Sequence, residues 1–126
     1  MIVTRSASPH AETLAALLAA IERHGLTVFA RIDHAAAARE AGMELPAEEV
    51  VIFGNPRAGT PLMVDDPQIG IELPLRMLVW SDGEGVAIGY RDPRGLAALY
   101  RVTPHRATLD QMAALLRALA DEAAAG

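Results

Sequence analysis

The stretch that most constrains this chain is residues 50–63, VVIFGNPRAGTPLM. Val50, Val51, Ile52 and Phe53 run without polar alternation, as in a strand covered on both faces or at the centre of a sheet. Gly54, Asn55 and Pro56 then stop the strand. Asparagine followed by proline starts a helix: a capping side chain precedes a residue whose fixed φ suits the first turn. The spacing predicts a strand over 49–53 that passes directly into a helix from Pro56 toward Asp65. Gly59 would allow close packing or a kink there, and Pro67 ends the helix.

The flanking segments read in the same local terms. Residues 1–7, with β-branched Ile2 and Val3, form a short strand. Ser8-Pro9 opens a helix in which Leu14, Leu17, Leu18 and Ile21 fall on one face, and Gly25 closes it. In 26–33, Leu26, Val28, Ala30 and Ile32 alternate with Thr27, Phe29, Arg31 and Asp33, which predicts a strand with one face inward. Asp33 caps a short helix, 34–41, stopped by Gly42, and its four alanines suit close approach to the sheet. Residues 43–48 are a linker, and 68–74 are irregular or a single helical turn. Residues 75–81 and 86–90 flank Asp82-Gly83-Glu84-Gly85, a hairpin signal. Asp92-Pro93 caps a short helix running to about Tyr100. Thr108 and Gln111 form a capping box for a last helix striped by Leu109, Met112, Leu116 and Leu119. The order β-α-β-α-β-α-β-β-α belongs to the α/β class, as a two-layer α+β domain with a mixed sheet covered by helices. With no repeat or linker composition, residues 1–126 read as a single domain.

Composition excludes several chemistries. A hydrophobic content of 52% is enough for a core without covalent staples. With no cysteine there is no disulfide, thiolate nucleophile or Cys-ligated zinc. Every basic residue is arginine, so there is no P-loop or Schiff-base lysine. A net charge of -5 and a pI near 5.3 argue against nucleic acid as a partner. No apolar run approaches the roughly 20 residues of a membrane span, and no signal pattern opens the chain. A cytoplasmic location, without a membrane partner, is the expectation.

Residues 32–42 (IDHAAAAREAG), 44–46 (ELP), 52–63 (IFGNPRAGTPLM), 73–80 (LPLRMLVW) and 90–93 (YRDP) resemble the family called domain of unknown function 302. The likeness covers nearly the whole chain in the right order. It implies a compact α/β fold and a homodimer, and no established reaction.

The candidate site comes from the two strand-to-helix junctions, Asp33-His34 and Asn55-Pro56. If both strands point the same way, these junctions share one end of the sheet. There, helix N-termini present free N–H groups in the crevice where open α/β sheets bind ligands. Arg31, Arg39 and Arg57 lie close by in sequence, so a small anionic molecule is a sensible guest. Gly54, Gly59 and Thr60 would line the same loop. That loop has the glycine spacing of a phosphate-binding loop but carries Thr60 and Pro61 at the Lys and Ser/Thr positions. The plainer account makes Asp33, Asn55 and Asp92 helix caps worth about 1 kcal/mol each. No residues stand at metal-ligand spacing. His34 and Met63 as haem ligands are chemically allowed but lack any attachment motif, so the cofactor is left open. A small-molecule binding module, acting as a homodimer, is the first reading. A non-covalent acid–base enzyme using His34 or Asp92 and a protein-interaction subunit are the alternatives. A dimer is also expected to cover the 75–90 hairpin if that hairpin forms a sheet edge.

Overall fold

Each helical connection between neighbouring strands reverses the chain, and this sets the sheet. The computed structural model describes residues 1–125. Its strands are β1 (Ile2–Ser6), β2 (Thr27–Asp33), β3 (Glu48–Gly54), β4 (Leu75–Asp82) and β5 (Gly85–Tyr90), in the order β1-β5-β4-β3-β2. The helices are α1 (His10–Arg23), α2 (His34–Glu40), α3 (Pro56–Asp65) and α4 (Arg106–Ala124). Short 3₁₀ helices span Pro67–Glu72, Pro93–Ala98 and Thr103–His105. The two-layer α+β architecture matches the expected element order. The sheet, however, is antiparallel at every pairing rather than mixed. The reason is that α2 joins neighbours β2 and β3, and α3 with the 67–72 turn joins neighbours β3 and β4. These helices act as enlarged hairpin loops, where a parallel pair would need a crossover.

Several local expectations shift with that topology. β4, not β3, is the middle strand, and the β4–β5 hairpin lies inside the sheet, so the edges are β1 and β2. The unbroken apolar run of β3 arises because Val51 and Phe53 are fully buried under helices while Val50 and Ile52 are half-buried on the other face. β2 has no inward face and is exposed along its length, as befits an edge. A bulge between Val28 and Ala30 makes Phe29 the extra residue. Val28 then opposes Phe53 while Ala30 opposes Ile52, so residues that regular alternation would align fall on opposite faces. Helix α4 starts at Arg106, led by the 3₁₀ turn at Thr103–His105, so Thr108 and Gln111 sit within the helix instead of capping it. Pro9 occupies the cap position of α1 without a side-chain cap. Gly25 and Gly42 follow α1 and α2 at φ +71° and +77°, the left-handed stop that glycine takes without a Cβ penalty.

Helices α1 and α4 cover one face of the sheet. Leu17, Ile21, Leu116 and Leu119 pack there with Val51, Phe53, Met77, Val79 and Ile88, all essentially inaccessible. Each such side chain contributes about 1.5–3 kcal/mol. A second cluster of Leu62, Ile69, Val102, Leu109 and Met112 fills the end of the molecule where α3 and the later loops meet α4. The other sheet face is only half covered. Val50, Leu78 and Trp80 are half-buried, and Val3 and Ile32 are exposed.

Candidate functional site

Asn55 shows how the local sequence builds the first concavity. Its side chain accepts the Arg57 N–H at 3.0 Å, Pro56 takes the first turn, and α3 turns away from the end of β3. The space left at this corner is closed by Leu26 and Phe29 at the start of β2, by Leu73 and Pro74 ahead of β4, and by Met112 and Leu115 on α4. The cavity measures about 230 Å³. Among the described residues, Asn55 and Thr60 bring the only polar side chains to its wall, and no titratable group lines it. Such a space can hold an apolar group but cannot move a proton or hold an ion.

A second, broader depression of about 750 Å³ runs over the open face of the sheet. Val50, Leu78 and Gly89 lie along it, while Ile71 and Leu99 stand at its rim, 78% and 71% exposed. Unlike the corner, it has charged ends: His34 and Glu48 at one, and Glu72, Arg76, Arg91 and Asp92 at the other.

The residues predicted for one crevice are therefore divided. β2 and β3 are antiparallel, with Asp33 opposite Glu49 and Thr27 opposite Gly54, so the two strand-to-helix junctions lie at opposite ends of the sheet. Gly54, Asn55, Gly59 and Thr60 come together at the corner cavity, and Met63 joins them. His34 and Asp92 line the sheet-face depression. His34 and Met63 thus do not flank a common space where a haem could be held. Asp33 caps α2 through the Ala36 N–H at 2.9 Å. Arg39 and Arg57 are exposed.

Arg31 is committed elsewhere. Its Nε donates to the Glu49 carboxylate at 2.6 Å, and that bond raises the guanidinium pKa. Glu49 is almost fully buried, so Arg31 supplies the countercharge it needs. Asp92 caps the 93–98 turn through the Arg94 N–H and also pairs with the Arg94 guanidinium at 2.7 Å. Arg94 holds its carboxyl below the usual range, which makes it a poor base near neutrality. Among the described residues no group of three His, Asp or Glu side chains converges on a metal position.

Sequence reasoning found the β3–α3 wall of the corner but missed Leu26, Phe29, Leu73, Pro74, Met112 and Leu115. Of these, Met112 stood out in sequence as a core residue of the α4 stripe, and Leu26 and Phe29 as members of the alternating 26–33 strand, none of them as part of a cavity wall. Leu115 lies off that stripe and Phe29 is displaced by the bulge, so neither carried a signal for this space beyond its apolarity.

Comparison with known proteins gives a family and a fold. The family described as "Domain of unknown function DUF302" matches residues 2–123. The chain is 45% identical over 98 residues to a Brucella suis biovar 1 (strain 1330) protein named fluoride-specific ion channel FluC 1. A Brucella abortus biovar 1 (strain 9-941) protein of the same name shows the same identity. The alignments take in 77% of this chain but only 39% and 36% of those proteins, so the chain spans less than two fifths of the curated relatives it matches. Among solved structures, an uncharacterized conserved DUF302 protein from Bacillus stearothermophilus superposes with a TM-score of 0.85. That match covers 97% of this chain and 96% of the other at 17% identity, a likeness of fold alone. No helix among the described residues is long and apolar enough to cross a membrane.

Proposed function

The chain belongs to the DUF302 family, and from that premise we propose a homodimeric binding module that holds the apolar part of a small molecule in the corner cavity between β3, α3 and α4. The observation that carries this reading is the cavity itself: about 230 Å³ of space with an almost wholly apolar wall. Apolar cavities of roughly 150 Å³ are large enough for a benzene-sized guest, and each Å² of apolar surface withdrawn from water contributes about 25 cal/mol. Asn55 and Thr60 give the ligand an orientation. The Asn55 carbonyl oxygen is occupied by the Arg57 N–H, which leaves the amide N–H groups for an acceptor on the guest.

Two other chemistries fit this space less well. Acid–base catalysis needs a titrating group, and the cavity wall has none. Fluoride, suggested by the names of the Brucella relatives, is a small and strongly hydrated anion. An apolar wall would strip its water without replacing it.

Indole, a compact aromatic with one donor, is a suitable probe. Titration followed by amide chemical shifts should perturb Leu26, Phe29, Ala58, Thr60 and Leu115, and Leu115→Trp, which fills the cavity, should abolish the response while keeping a folded spectrum. No shift up to the solubility of indole, or equal shifts in the variant, would overturn the reading.

A further inference from the structure

We propose that the open face of the sheet carries a second site, for a free single-chain amphipathic anion, with Arg76 and Arg91 receiving its head group. Arg76 lies on the outer part of β4, beyond the last residue paired with β5, and Arg91 follows directly on the end of β5. Both are exposed and both line the sheet-face depression. Like charges gathered in one depression repel. Neither arginine has an ion-pair partner among the described residues, in contrast to Arg5, Arg31 and Arg94. The neighbouring carboxylates are engaged: Glu72 accepts the Tyr100 hydroxyl at 2.7 Å, and Asp92 is held by Arg94. A carboxylate or phosphate between the two guanidinium forks turns the repulsion into two charge-assisted hydrogen-bonded pairs.

The rest of the depression asks for a chain. From Arg76 the apolar floor runs past Leu78 and Val50 toward Glu48, which lies four residues along β3 from Ile52, the partner of Arg76. That distance is about 13 Å along the strands, too long for a compact anion and suited to an extended alkyl tail. Ile71 and Leu99, exposed at the rim, are placed to close over it. Glu48 repels an anionic head at the far end, so the ligand has one orientation.

The only tryptophan of the chain, Trp80, lies against Gly89, which lines the depression, and so reports on it from beside the site. The test is titration of the full chain with monomeric dodecanoate, read by Trp80 fluorescence, beside dodecyltrimethylammonium and phosphatidylglycerol vesicles. Dodecanoate should shift the emission to the blue. The cationic amphiphile, and dodecanoate with the double variant Arg76→Gln/Arg91→Gln, should bind at least tenfold more weakly. Equal binding of both amphiphiles, an unchanged double variant, or binding to vesicles but not to dodecanoate would overturn the proposal. So would a failure of dodecanoate to bind because a second copy of the chain covers Trp80, seen as a dimer that protects it from quenching. The double variant should keep its indole response at the corner, so the two sites fail separately.

Discussion

Asp66 joins two distant pieces of chain through one buried carboxylate. It accepts the Gln68 N–H at 3.1 Å and the Arg101 N–H at 3.0 Å, which fixes the turn carrying Ile69 against the segment carrying Val102. The Arg101 N–H is the main reason its pKa lies below the usual carboxylate value. A group whose folded pKa is depressed contributes stability above its unfolded pKa and loses that contribution as pH falls through the folded one. Asp66→Asn should therefore be less stable than the parent at neutral pH, and the gap should close below about pH 4. Urea denaturation at several pH values checks this, and a gap independent of pH would count against it. Gly89 is constrained by space instead. A Cβ there would lie 2.8 Å from the Trp80 ring and 2.6 Å from the Met1 sulfur. Met1 can swing aside, whereas the ring rests on the sheet. Gly89→Ala should cost about 1–3 kcal/mol, and most of that loss should disappear in a Trp80→Leu background. Equal losses in both backgrounds would place the strain elsewhere.

At the scale of elements, β2 is the exposed part of the fold. Its seven residues form an edge with no strand outside it among the described residues, and Val28, Phe29 and Ile32 present large apolar side chains there. Natural edges of this kind are covered or interrupted. The bulge at Phe29 interrupts one end, leaving the stretch from Ala30 to Asp33 regular. The homodimer of the proposed function has its best surface here, by isologous pairing of two β2 edges. Native mass spectrometry should find a dimer, and Ile32→Lys should shift it to monomer. A monomeric parent, or a dimer indifferent to Ile32→Lys, would remove this surface from consideration. The β4–β5 hairpin, for which the sequence suggested the same role, has no free edge because β1 and β3 flank it.

For the whole molecule, an accessible surface of 7255 Å² exceeds the roughly 6,500 Å² expected of a folded monomer of 13.4 kDa. Val3, Phe29, Ile32 and Ile71, exposed on the edge and around the open sheet face, lie on that surface. What the sequence determined by itself was local. Asp33, Asn55 and Asp92 are caps, Gly25 and Gly42 end helices, and the element order is the observed one, because these features depend on contacts within a turn or two of helix. The all-antiparallel order, the bulge that inverts β2, and the separation of the Asp33 and Asn55 junctions were decided by tertiary structure. Each depends on which strands become neighbours, a choice made by burying distant apolar faces together. The corner cavity belongs with them: its wall runs from Leu26 to Leu115, and no periodicity within one segment encodes a space left between several.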